Sequence, residues 1–323
     1  MKKNYTLEIV TFLFVFTILA FVQLKSSRPM LLVERFWAHS GWVEIFMISC
    51  YAFFISHKMK SPHESPRWRL RIWIIFSFVF FMQLIIGLLG LPKFLMTGTL
   101  DFPIPVLIIA GPIYRAEIGF MILFFISTIL LSGSAWCSQL CYFGAFDAIA
   151  SKGKTPYKPL KNKWNYKLFG LIFIVATAIG LRFFNVPIII AILLSSLFGI
   201  VGIVVILFVS KKQNKMIHCI GYCPIGTIVS FAKFASPFRI KINNDCTQCM
   251  KCTSSCKYDA LNKIDITNLK PGLTCTYCGD CIQTCHTSSI QYKFWGLSAP
   301  NARALYLFIT ISMHALCLAL ARI

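Results

Sequence analysis

The sequence predicts an integral-membrane, all-α helical bundle of about seven spans, into which a small α+β domain is inserted. Three observations carry this. The 323-residue chain is 57% hydrophobic with a mean hydropathy of +0.70, and only 13% of its residues are charged, against roughly a quarter in ordinary soluble domains. Several apolar runs approach the ~20 residues needed to cross a bilayer core. Most of the fourteen cysteines lie late in the chain, in a stretch with few large apolar side chains that stands apart from the bundle.

In chain order the expected spans are 6–24, 41–56, 72–91, 117–135, 168–185, 187–209 and 303–321. The second is short and the sixth begins at Pro187, so both can be tilted or irregular. The first follows "MKK" as a signal peptide would, but no A-x-A site follows and the run is long for such a peptide. It is expected to stay as an anchor. The implied organisation is a membrane bundle of six spans over 1–216, a motif and amphipathic segment over 217–239, a cysteine-rich domain over 240–293, and a last span over 302–323.

The net charge of +21 raises the question of nucleic acid, but no recognisable module supports that partner. With Lys2 and Lys3 inside, most Lys and Arg fall on the inner face, in "HKMKSPHESPRWRLR" and "SKGKTPYKPLKNKWNYK" among others. That bias is the positive-inside pattern, and a basic face drawn to anionic lipid accounts for it. The N-terminus and everything from Lys211 to about Pro300 are then expected on the cytoplasmic side of a bacterial inner membrane.

Two stretches, "CTQCMKCTSSC" and "CTYCGDCIQTC", each read C-x2-C-x2-C-x3-C. Tight loops at this spacing let three thiolates grip one face of an iron–sulfur cubane, while the fourth cysteine reaches a second cluster. The expectation is Cys246, Cys249, Cys252 and Cys285 on one [4Fe–4S] cluster, and Cys275, Cys278, Cys281 and Cys256 on another. Zinc sites more often use two separated pairs, and disulfides are disfavoured on a reducing face. The segment resembles a bacterial-type 2[4Fe–4S] ferredoxin domain, with Lys257 and His286 where that family places proline. His286 could donate a hydrogen bond to a cluster sulfur.

Two further pairs stand at the inner ends of spans four and six, Cys137 with Cys141 in "WCSQLCYFGAF" and Cys219 with Cys223 in "HCIGYCPIGT". A glycine follows each pair, then an amphipathic run, "AFDAIASK" or "TIVSFAKFAS", suited to the membrane surface. Residues four apart on a helix share one face, which suits two ligands of one metal centre. The pairs therefore read as a weak internal repeat supplying a third redox centre, the other readings being small buried hydrophobes and a disulfide within each pair. Cys50 and Cys317 are isolated within spans and read as packing residues.

Membrane spans, two C-x3-C motifs (the second followed by Pro224, the first by Tyr142) and a trailing 2[4Fe–4S] domain together resemble the membrane iron–sulfur proteins of the NapH, NosR and MauN type. The resemblance implies electron transfer between the quinone pool and partner redox proteins of a respiratory reductase, with a flavoprotein or ferredoxin subunit as a further partner. Quinol oxidation needs a proton acceptor, and Glu44 and Asp101 are the candidates, beside His39 and Glu117. The alternative function is an assembly factor that reduces a metal or thiol for a respiratory complex. No nucleophilic triad, Walker loop, dinucleotide fingerprint or haem motif is present.

Overall fold

A computed structural model describes residues 5–94, 104–156 and 158–320. Its principal elements are α1 (Thr6–Lys25), α2 (Gly41–Lys60), α3 (Ser65–Leu88), α4 (Leu107–Arg115), α5 (Phe120–Ser132), α6 (Tyr142–Ala150), α7 (Lys163–Phe183), α8 (Ile188–Val204), α9 (Pro224–Ala232), α10 (Lys263–Thr267) and α11 (Ala299–Leu320). Strands β1 (Arg239–Ile242) and β2 (Ile290–Lys293) form the one small sheet among the described residues. α8 continues through a π-helical stretch, Val205–Ser210, to Gln213.

Five described helices are long and apolar enough to cross a membrane: α1, α3, α7, the α8 helix through Gln213, and α11. The seven-span expectation parts from this at two places. α2 is 20 residues long but carries Glu44, His57, Lys58 and Lys60 near its ends, and it falls outside that set. α5 has only 13 residues, about 20 Å of rise against a hydrocarbon core of about 30 Å. It stops at Gly133, whose φ of +69° L side chains avoid, and a Cβ there would stand 2.8 Å from the Tyr277 ring. The helix ends where the cysteine-rich segment packs against it.

The chain forms two compact units, Met1–Asp101 with Pro300–Ile323, and Phe102–Ala299. The last helix thus groups with the first three, a division that runs across the sequence-based one. In the first unit Val15, Leu19, Ile45, Ile55, Ile72, Leu307 and Ile311 form the core. Several polar groups inside it are paired, as burial favours. Glu8, fully buried, accepts from His57 Nδ1 and Lys60 Nζ, each at 3.3 Å. Tyr51 OH lies 3.0 Å from His314 Nε2, and Arg303 donates to the Lys60 and Met59 carbonyls at the end of α2.

In the second unit β1 and β2 pair antiparallel, Arg239 opposite Lys293 and Ile242 opposite Ile290, so the ribbon brackets the cysteine-rich segment. That segment is fastened to the helices by a buried ion knot. Asp259 Oδ2 accepts from Lys163 Nζ at 3.0 Å and from the Leu160 N–H at 3.1 Å, while Oδ1 accepts from Lys215 Nζ. Lys163 opens α7, and Lys215 precedes the second C-x3-C motif. Lys257, in one of the missing-proline positions, donates to the Gly153 and Asn214 carbonyls.

Burial pushes the Asp259 carboxyl up, but Lys215 and Lys163 outweigh it and hold it below its ordinary value. A carboxylate depressed in the folded state contributes stability above its unfolded value, about 3.9, and that contribution is lost as pH falls through the folded value. Asp259→Asn makes the loss at neutral pH and leaves the buried Lys215 ammonium without its carboxylate, a cost of about 3–5 kcal/mol. A clearly lower thermal midpoint in detergent at pH 7 is expected. An unchanged midpoint would rule out the knot as the fastening.

Candidate metal centres

The cysteines of the second unit gather in three groups of four. Cys246, Cys249, Cys252 and Cys285 line a small cavity walled by Ile242, Ile266 and Ile290. Cys252 feels Cys285, Cys246 and Cys249. Cys281 in turn feels Cys278, Cys275 and Cys256. The fourth cysteine of each motif therefore sits with the first three of the other.

The two loops repeat one backbone path. Residues on both sides of the middle cysteine are left-handed, Gln248 and Met250 in one motif and Tyr277 and Gly279 in the other. The third residue after each fourth cysteine, Asp259 and Ser288, is left-handed as well. Such conformations are unfavourable for most L residues and persist where the surroundings over-determine them. At Gly279 a Cβ would meet Tyr292 OH at 2.5 Å, so glycine is required there. The loops also donate N–H groups to sulfur. Ala260 N–H reaches Cys256 Sγ at 3.3 Å. Burial pushes the Cys285 thiol up, but the Thr287 hydroxyl and the N–H groups of Ile290, Ser289 and Thr287 outweigh it and hold it below its ordinary value. Cys249 is exposed, with His286 Nδ1 3.8 Å from its sulfur.

The C-x3-C pairs share one device, though not an α-helical face. Cys137 and Cys219 lie on π-helical turns, Trp136–Leu140 and His218–Tyr222. Cys141 and Cys223 lie just beyond them in extended conformation, with φ/ψ of −74°/113° and −73°/121°, and act as N-cap residues of the nine-residue helices α6 and α9. Each closes a wide turn, Cys141 N–H to the Trp136 carbonyl at 2.9 Å and Cys223 N–H to the His218 carbonyl at 2.8 Å. Each sulfur faces the N–H groups two and three residues on, Phe143 and Gly144 or Ile225 and Gly226. Tyr142 takes the helix position that Pro224 holds in the second copy. Both helices are largely buried against the protein, Phe146 and Phe231 being their outward side chains.

The four thiols converge: Cys219 feels Cys141, Cys223 and Cys137. Cys137 and Cys219 line a second small cavity, together with Lys167, Tyr258, Thr274, Cys275 and Thr276. Cys275 also belongs to the neighbouring ferredoxin-like group, so the two sites share a wall. Three hydrogen bonds fix that wall: Tyr258 OH to the Cys137 carbonyl at 3.0 Å, Ser134 Oγ to the Cys275 carbonyl at 3.1 Å, and Ser138 Oγ to the Thr276 carbonyl at 3.3 Å.

The donor set fits an iron–sulfur group. Cys246, Cys249, Cys252 and Cys285 ring one cavity, and Cys137, Cys219 and Cys275 line another. Burial pushes the Cys137 and Cys219 thiols well up and Cys141 to about 12, so a cationic centre must displace their protons. Thr274 Oγ1 and Thr276 Oγ1, in the cavity wall, are buried without a hydrogen-bond partner.

Several of these residues were not legible as site residues: Lys167, Lys233, Asp147, His218 and Tyr258. Asp147 is buried and accepts the Cys219 N–H at 3.0 Å, and burial lifts its carboxyl to about 6. A carboxylate inside the apolar run that follows one cysteine pair was the available signal. His218 packs between Phe143 and Tyr222. Of the quinone candidates, Glu44 is buried and caps the short Leu32–Phe36 helix by accepting the Val33 N–H at 2.9 Å. Asp101 lies outside the described residues. His39 and Glu117 are exposed, and the His39 N–H is bound by Glu34 at 2.8 Å. Cys50 and Cys317 join no group.

Comparison with known proteins points the same way. A model of the 4Fe–4S binding domain family matches residues 116–167, the stretch holding Cys137, Cys141 and Lys167. An uncharacterised protein of Methanocaldococcus jannaschii, MJ0750, is 24% identical over 104 residues, 31% of this chain and 42% of that protein. A second, MJ0749 from the same organism, is 26% identical over 206 residues, 57% of this chain and 77% of that protein. The chain thus spans less than half the length of the first and about three quarters of the second. No solved structure matches the chain. The family match, the cysteines and the apolar helices together support an iron–sulfur protein that fits a membrane.

Proposed function

We propose that the chain is a membrane electron-transfer protein that relays single electrons between the quinone pool and partner redox proteins of a respiratory reductase system. The observation that carries this is the order of the three cysteine groups. One group opens to the surface at Cys249, the second shares Cys275 with the cavity of the third, and the third is held by the ends of the apolar helices α7 and α8. In this reading each ferredoxin-like group holds a [4Fe–4S] cluster and the C-x3-C group holds a third iron–sulfur centre. α2 and α5 are embedded with the five longer helices, and the basic face lies in the cytoplasm. A soluble ferredoxin or flavoprotein subunit docks at the exposed group.

Bound clusters supply one-electron chemistry. The chain's own residues fix the thiolates on rigid turns, direct N–H and hydroxyl donors at sulfur, and keep water from the buried groups. Tyr258 and Ser134 hold the second and third groups at constant separation, which a relay needs.

Two outcomes test this. Addition of a short-chain quinol to the purified protein is expected to reduce its clusters, followed by EPR. Reduction of Cu(II) without any response to quinol would instead favour the assembly-factor reading. Gly226→Ala places a Cβ 2.5 Å from the Cys219 carbonyl oxygen and is expected to abolish one EPR-detectable centre while the ferredoxin-like pair survives. Retention of every signal in that variant would count against a cluster at the C-x3-C cavity.

A further inference from the structure

Two lysines are buried beside the C-x3-C cavity without an acidic partner. Lys167, 2% exposed, lines the cavity with Cys137 and Cys219 and donates to the Gly226 carbonyl at 2.9 Å and to Ser230 Oγ at 3.0 Å. Lys233, also 2% exposed, donates to the Leu273 and Cys275 carbonyls at 2.6 and 2.8 Å and lies over the Tyr277 ring at 5.2 Å. Neither makes a salt bridge to a carboxylate among the described residues. Lysine is seldom buried unless its charge is paired, and carbonyl and hydroxyl oxygens alone are weak compensation. The nearby groups that can carry the opposite charge, once a cationic centre displaces their protons, are cysteines: Lys167 lines the cavity with Cys137 and Cys219, and Lys233 holds the Cys275 carbonyl. The contrast within the molecule is sharp. No lysine lines the cavity of Cys246, Cys249, Cys252 and Cys285, and the other buried lysine among the described residues, Lys215, is bound to Asp259.

Resting on the reading that this cavity holds an iron–sulfur centre, we propose that Lys167 and Lys233 are its charge-compensating positioning residues and give it the highest reduction potential of the three. An electron added to a centre makes it more negative, and a fixed cation beside it favours that state. In a low-dielectric site the effect is much larger than in water. Lys233, through Cys275, also acts on the adjoining ferredoxin-like group, and the surface group has neither lysine in its wall. The three centres therefore form a graded series that rises toward the membrane helices.

The test is an EPR-monitored redox titration of the full-length protein in detergent, with iron measured on each sample. The parent is expected to show three centres, the C-x3-C centre being reduced first as the potential is lowered. Lys167→Met is expected to lower that centre's potential by at least a tenfold change in its reduction equilibrium, ~59 mV for a one-electron couple, with iron retained. Lys167→Arg, which keeps the charge, restores it. Lys233→Met supplies a second variant and is expected to lower both the C-x3-C centre and its neighbour. Three centres with unmoved potentials in both methionine variants would overturn the proposal while leaving the third centre standing. A parent with only two centres would overturn the third-centre reading itself, and this proposal with it.

Discussion

Burying thiolates is the constraint on which the Phe102–Ala299 unit depends. A thiol in a dry interior keeps its proton unless a cation, a dipole or a donor takes its place. Most of the surrounding structure serves that end. Helix N-termini face Cys141 and Cys223, N–H and hydroxyl donors surround Cys285, and the unpartnered Thr274 and Thr276 hydroxyls and the Lys167 ammonium group line the cavity between the C-x3-C pairs and the ferredoxin-like loops. A segment with so few large apolar side chains has little else to fold around, and metal binding becomes part of its folding free energy.

The second organising feature is repetition at two scales. The ferredoxin-like loops repeat their left-handed positions residue for residue. The C-x3-C motifs repeat a π-turn, an extended cysteine and a nine-residue helix. π-Helical turns are rare and concentrate at functional sites. Here the wide turn frees the second cysteine from the helix, so its sulfur meets the N–H groups of the next helix and not the side of its own. The two repeats are fastened together by the Asp259 knot and by the hydrogen bond from Tyr258 OH to the Cys137 carbonyl.

Much of this was legible in the sequence, and the limits have physical causes. Spacing alone led to the expectation that Cys256 and Cys285 each serve the other motif's cluster, because a three-residue step carries the chain past its own; in the structure Cys285 lines a cavity with Cys246, Cys249 and Cys252. Hydropathy found the long helices, but could not tell that α5 would stop at Gly133, since the reason is Tyr277 from far along the chain. The α-helical reading of C-x3-C failed because hydrophobic pattern does not distinguish an α-turn from a π-turn. Lys167 and Lys233 looked like ordinary members of a basic face; only tertiary packing shows that they point inward. The absent proline at Tyr142 mattered less than its chemistry implies, because flanking contacts hold the same helix start.

The central claim is that the C-x3-C cysteines hold a third centre alongside two ferredoxin-like clusters. Iron and acid-labile sulfide per chain, measured on the anaerobically purified protein and on Cys137→Ser/Cys219→Ser, test it most directly. The account predicts about twelve of each in the parent and about eight in the variant, from four per cluster. About eight in the parent, unchanged by the substitutions, would contradict it.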